Sequence, residues 1–233
     1  MAAAGLPPPV STLGAEELVS EADQQLLLDF FRVLNSDWTL QESEEANNFK
    51  VYYQYSDESP IVMIKGEATV NTSVSNLLDF LHSYGDTFDS NMQVLDAMCT
   101  GAQAVDVLDA KHKVNYATFR VPKPASDRDF LWSNFSTMLA NGDAVCIGRS
   151  TAREDYPPDT SLLGYVRGQI LASGYYCEHF KSDREKCVLH FVVQADPCGW
   201  LPTWAINLCA KDQAHNARRA AEHFGGGGAL RKK

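Results

Sequence analysis

The sequence predicts an α+β domain: a curved, largely antiparallel sheet closed by a long C-terminal helix. Three observations predict it. Helical periodicity marks the two ends of the chain and one stretch near residue 75, and the rest reads as a succession of strands. Those strands are seldom separated by the crossover helices that a parallel sheet requires. The last helical pattern carries a stripe of small residues, suited to close contact with a sheet or to leaving space beneath it.

The chain has 233 residues and no internal repeat or obvious linker. The expectation is one domain over residues 15–224, with a Pro-rich disordered segment at 1–14 and a flexible tail at 225–233. A formal charge of −10 argues against a general nucleic-acid binder, because phosphate contacts need a basic surface. The stretch Met1–Val10 lacks the basic start and apolar run of a secretory signal, and no segment approaches the ~20 apolar residues of a membrane span. Cys99, Cys146, Cys177, Cys187, Cys198 and Cys209 are dispersed and form no CxxC pair. They read as reduced thiols in a cytoplasmic protein.

Taken in order, Leu18, Ala22, Leu26, Phe30 and Val33 mark an amphipathic helix over 15–34. Residues 38–48 read as a polar, acidic connection. Val51–Tyr55 and Ile61–Val70 read as a strand hairpin. Asn71 or Thr72 is placed to cap a helix running to about Tyr84, with Val74, Leu77, Leu78 and Leu81 on its apolar side. A loop is expected over Gly85–Ser90. Strands follow at 103–108, 114–121, 130–139, 144–150, 165–177 and 186–195, with a long loop at 151–164. Pro202 opens the last helix, where its missing N–H costs nothing. Ile206, Ala210, Ala214, Ala217, Ala221 and Phe224 then share one face.

No metal-ligand spacing, nucleophile elbow or phosphate loop is present, so no metal or cofactor is expected. His190, inside the last strand, reads first as a hydrogen-bonded core residue. Its pairing with Asp106 or Glu178 is the one acid–base arrangement that an enzyme could use.

Several segments resemble the START domain, the StAR-related lipid-transfer family. Pro122-Lys-Pro-Ala-Ser-Asp-Arg128-Asp129-Phe130 resembles its proline-plus-Arg-Asp-Phe segment. Tyr156-Pro-Pro158, Gly164-Tyr-Val-Arg167-Gly168 and Ser173-Gly-Tyr175 resemble its loop and following strand. Asp196-Pro-Cys-Gly-Trp-Leu-Pro202 with Trp204 and Asn207 resembles the approach to its C-terminal helix. Phe88-Asp89 stands where many members carry Trp-Asp or Trp-Asn, keeping an aromatic ring without the indole N–H. The resemblance covers about residues 15–224.

It implies a helix-grip fold around a hydrophobic tunnel, a lipid ligand of sterol, phospholipid or ceramide class, transient peripheral contact with membranes, and no catalysis. A lipid-responsive protein-interaction module, with a protein partner, is one alternative, and an enzyme acting on a small hydrophobic substrate is the lesser one. Within this frame Gln103, Tyr116, Arg167, His190, Ile206, Ala210, Ala214 and Ala217 are the candidate tunnel contacts. Tyr156, Trp200 and Pro202 are the candidate gate, formed by the C-terminal helix and the facing 151–164 loop. Arg128 and Asp129 are the candidate structural anchors, pointing to opposite faces of their strand.

Overall fold

The structure is a computed structural model, and it describes residues 20–56, 59–161, 164–171 and 173–225. The expected loose segment 1–14, the first turn of the N-terminal helical pattern and the tail after Gly225 lie outside the described residues.

Ser20 opens α1 (Glu21–Leu34). Its hydroxyl accepts the Asp23 amide, and the Asp23 carboxylate accepts the Ser20 amide, so two otherwise unpaired donors are satisfied reciprocally. Leu26, Leu27, Phe30, Phe31 and Leu34 are its buried side. An antiparallel meander follows: β1 (Thr39–Glu44), β2 (Phe49–Ser56) and β3 (Ser59–Val70). The stretch expected as a polar connection therefore contains an edge strand. None of its residues is buried, so it needs no apolar alternation and shows none.

Ser73, not Asn71 or Thr72, caps α2 (Val74–Leu81), accepting the Asn76 amide at 3.3 Å. Where a loop was expected, Gly85–Leu95 forms α3. Only Phe88 and Leu95 are buried on it, which leaves almost no helical periodicity in the sequence.

The remaining strands are β4 (Cys99–Val107), β5 (His112–Phe119), β6 (Arg128–Met138), β7 (Ala144–Ser150), β8 (Val166–Arg167), β9 (Gln169–Ile170), β10 (Ser173–His179), β11 (Cys187–Val193) and β12 (Ala195–Asp196). The single strand expected over 165–177 is thus three pieces. β8 runs parallel beside β6, β9 pairs with β12, and only β10 joins the main ladder. The backbone changes partner as it goes. The Val166 and Gly168 amides reach Asp127 and Asp129 carbonyls, and the Ile170 amide reaches Ser150 Oγ.

Two helices, α4 (Thr203–Ala214) and α5 (Asn216–Phe224), complete the chain where one long helix was expected. The break is at His215. Its ring Nδ1 lies 2.7 Å from the Lys211 carbonyl, which its own amide would otherwise use, and that amide turns to the Asp212 carbonyl at 3.0 Å.

The main sheet has the order β1-β2-β3-β11-β10-β7-β6-β5-β4, antiparallel throughout along this path. It does not close into a barrel, since β1 and β4 are its edges. β11 joins the N-terminal meander to the later strands. The two faces carry separate cores. On the outer face α1 packs against Phe135, Val145, Ile147, Tyr176 and Val192. On the inner face α2, α4 and α5 pack against Ile64, Ala68, Cys177, Leu189 and Phe191.

Gly66 of β3 sets how close the C-terminal helices come. A Cβ there would collide with the Ala214 carbonyl and touch Ala217. Ala214 and Ala217 are fully buried at this contact. Small residues on both sides bring helix and sheet backbones together.

Candidate functional site

Between the inner face and α2, α3 and α4 lies a cavity of about 380 Å³. Phe119, Phe130, Trp132, Ile170, Phe191 and Val193 form apolar wall on the sheet side. Leu81 of α2, with Phe88 and Met92 of α3, closes it from beyond the sheet, and Ile206, Cys209 and Ala210 of α4 cover it. Alternation decides membership. On β5 the odd residues Asn115 and Phe119 face inward, and on β6 the even residues Phe130, Trp132 and Asn134 do.

One mouth of the cavity lies at Gly199, Leu201 and Arg120. Arg128, only 1% exposed, organises it. Its Nε donates to the Pro197 carbonyl at 2.9 Å, and one terminal nitrogen donates to the Cys198 and Trp200 carbonyls at 2.9 and 3.1 Å. The other terminal nitrogen takes the Ser126 carbonyl. A buried guanidinium is thereby spent on backbone oxygens instead of a carboxylate. The loop it grips is unusual, with Cys198 and Gly199 at positive φ (48° and 60°). Asp196 helps hold it, its carboxylate accepting the Cys198 amide at 2.7 Å.

A second polar group braces the far end of α4. Asp96, 2% exposed, accepts the Met98 amide at 2.8 Å and the Gln213 side-chain amide. Burial pushes its carboxyl above the usual range. Burial likewise raises the Cys146 thiol and the Tyr175 phenol on the cavity wall. Burial lowers His82 to about 4 and Lys113 to about 8 behind the closed end. Lys113 donates to the Ser83 carbonyl at 2.7 Å and lies 3.9 Å from the Phe88 ring centroid.

Of the candidate contacts read from the sequence, Ile206 and Ala210 line the cavity. Ala214 and Ala217 are buried against β3 instead, so the alanine stripe divides its labour along its length. Gln103, Tyr116, Arg167 and His190 stand on the outer face. Gln103 Nε2 donates to the Tyr156 hydroxyl at 3.1 Å, and the Tyr116 and Tyr156 rings are 5.6 Å apart. Arg167 pairs with Asp129 at 2.9 Å and reaches the Tyr156 carbonyl at 3.3 Å. This group fastens the loop around Arg153 and Tyr156 to the outer face, so that Tyr156 does not face α4 across the cavity. His190 sits between Glu178 and Glu67, 3.2 and 3.4 Å away. Asp106 is engaged by Arg153 at 2.7 Å. Trp200 is 67% exposed beside the mouth, and Pro202 occupies the N-cap position of α4.

Sequence reasoning passed over Asp96, Asn115, Phe130, Trp132, Asn134 and Gln213, all on the cavity. The two faces of β5 were separable by parity. Among the described residues no His, Cys, Asp and Glu cluster could hold a metal, and no helix is long and apolar enough to cross a membrane.

A START domain family model matches residues 20–224. START domain-containing protein 10 of Mus musculus and of Homo sapiens are each 28% identical over 145 residues, which is 61% of this chain. The matched stretch spans 45% of those relatives' own length. Among solved structures, human StAR-related lipid transfer protein 5 superposes with a TM-score of 0.71 at 18% identity, covering 87% of this chain and 95% of that one. Human STARD10 superposes with a TM-score of 0.68 at 21% identity, covering 91% and 84%.

Proposed function

The chain belongs to the START domain family, and on that premise we propose that it is a non-enzymatic carrier that encloses one lipid and exchanges it with membranes. The carrier unit is residues 15–224. The observation that supports this most is the largely apolar cavity between the sheet and α4. Sterol, phospholipid and ceramide classes are the cargo types that family membership suggests.

Closure falls to α4 and the loop before it. One side of α4 lines the cavity through Ile206, Cys209 and Ala210. The opposite side carries Trp204 and Leu208, 55% and 52% exposed, with the exposed Lys211 beside them, and Trp200 continues the apolar row. Exposed aromatic and aliphatic side chains with a lysine among them suit an element that meets cargo on one side and a membrane interface on the other. The break at His215 separates α4 from α5, which stays pressed on β3. Arg128 at one end and the Asp96–Gln213 contact at the other hold α4 shut. Tyr156 takes no part in this closure.

Native mass spectrometry of the purified protein, followed by transfer between donor and acceptor vesicles, tests the proposal. One lipid per chain and accelerated transfer are expected. Binding without transfer would favour the lipid-responsive module, and absence of any lipid uptake would overturn the carrier.

A further inference from the structure

The segments Arg128-Asp129-Phe130 and Val166-Arg167-Gly168 meet just inside the mouth of the cavity. β8 runs parallel beside β6, with Val166 level with Arg128 and Arg167 level with Asp129. Val166 lies beside Gly199 at the mouth. The Gly168 amide donates to the Asp129 carbonyl at 2.9 Å, which carries the register on and sets Gly168 against Phe130. Alternation gives each position a face. Arg128 turns inward and holds the loop before α4, while Asp129 and Arg167 pair on the outer face. Phe130 turns inward again and lines the cavity.

Gly168 is the seat of that ring. A Cβ added at Gly168 would collide with Phe130, and the three atoms nearest to it all belong to the Phe130 ring. The backbone of Gly168 is not left-handed, so the missing side chain serves space and not conformation. The ring therefore lies between Gly168 and the cavity. Phe119 of β5 stands edge-on to it, with centroids 5.5 Å apart, and faces the cavity too. Two rings thus narrow the passage next to the mouth. Trp132 repeats the arrangement one inward position deeper, its indole crossing Gly148. There a Cβ would also strike the Ser133 carbonyl, so Gly148 makes room for backbone as well as for a ring. The whole cavity, about 380 Å³, is near the lower end for ligand pockets, and one ring is a sizeable share of its bore.

We propose, building on the carrier function, that Phe130 selects cargo by girth and that Gly168 is its positioning residue. With the ring folded back on Gly168, the passage admits a lipid that is slender where it crosses β6. A second chain or a branched tail meets the ring. Removing the ring widens the passage, and filling its seat with a methyl group drives it toward the cavity and narrows the passage. A close-packed wall feels a change of this size because it does not flow to absorb it. The selection acts on bulk alone and applies whichever lipid class is carried.

The test uses the full chain and matched pairs of probes, each pair at equal mole fraction in vesicles of dimyristoylphosphatidylcholine. The pairs are oleoyl-lysophosphatidylcholine with dioleoylphosphatidylcholine, cholesterol with sitosterol, and hexanoyl ceramide with oleoyl ceramide. Native mass spectrometry reads the bound ratio of bulkier to slimmer member. For a pair that wild type takes up, Phe130→Ala should raise that ratio by roughly tenfold or more, and Phe130→Leu by less. Gly168→Ala should lower it several-fold. In the double variant, Gly168→Ala with Phe130→Ala, the lowering should vanish, because the added methyl group has no ring to push. A role in stability alone would not make one substitution cancel the other's effect on a ratio. Unchanged ratios in Phe130→Leu and Gly168→Ala would overturn the proposal even where Phe130→Ala does not fold. A Gly168→Ala effect that persists without the ring would overturn it too, and the carrier function would survive either result. No uptake of any probe by wild type would overturn both.

Discussion

Arg128 holds four carbonyl oxygens, three of them in the loop ahead of α4. Arg128→Ala is expected to lower stability by about 2–4 kcal/mol in urea unfolding, because those oxygens lose their donors. Arg128→Lys should recover only part, since a point charge cannot span the fork. Unchanged unfolding with loss of bound lipid would make Arg128 a cargo ligand instead. His190 gives a pH signature on the other face. Burial pulls it down, but the Glu178 and Glu67 carboxylates outweigh burial and its folded pKa is raised. Glu67 is pushed up by burial, yet His190 and Lys50 hold it at about 2. A raised histidine stabilises below its unfolded value of roughly 6.5, and the contribution fades as pH climbs through the folded value. A depressed glutamate stabilises above its unfolded value and fades as pH falls through the folded one. His190→Gln should therefore cost more at about pH 6 than at about pH 9, and parallel unfolding curves check this. Equal cost at both would break the assigned coupling. At this scale parity was legible and polarity was not. The sequence separates Tyr116 from Asn115, but which of them faces the cavity depends on helices far away in the chain.

The elements that sequence reasoning found are those with a buried stripe, such as α1 and β11. Those it missed bury little: β1 has no buried residue, and α3 has two. The break at His215 was hidden because a side chain competing for a carbonyl leaves no mark on apolar periodicity. The alanine stripe was legible, and its two roles were not, because they depend on Gly66 across the contact. Gly66→Val should force the α4–α5 junction off β3 and cost about 1–3 kcal/mol or more, read by thermal unfolding. The exposed row makes the opposite kind of prediction. Trp204→Ser with Leu208→Ser should leave unfolding nearly unchanged, since both are largely in water. Vesicle-stimulated lipid exchange should fall several-fold. Undiminished exchange would place the membrane contact elsewhere.

For the molecule as a whole, a formal charge of −10 sets how it meets a surface. Exchange with neutral vesicles should outpace exchange with anionic ones at low salt, and the gap should narrow as the Debye length falls to about 3 Å near 1 M salt. A gap that ignores salt would mean that local contacts, not the overall field, govern approach. The fold class was legible because strand runs lack crossover helices. The strand order was not, since β3 meets β11 across more than a hundred residues and no local pattern records that pairing. The two-faced sheet also bears on which changes of length the chain can absorb. On β7, Val145 and Ile147 seat α1, while Cys146 and Gly148 face the cavity. Adding one residue there would exchange every cargo-facing side chain with a helix-facing one. Adding two would restore the alternation and merely shift it along. The loop around Tyr156, fastened on the outer face, has no such arithmetic. Length variants of this protein should therefore come in even steps within the central strands and in any step within that loop.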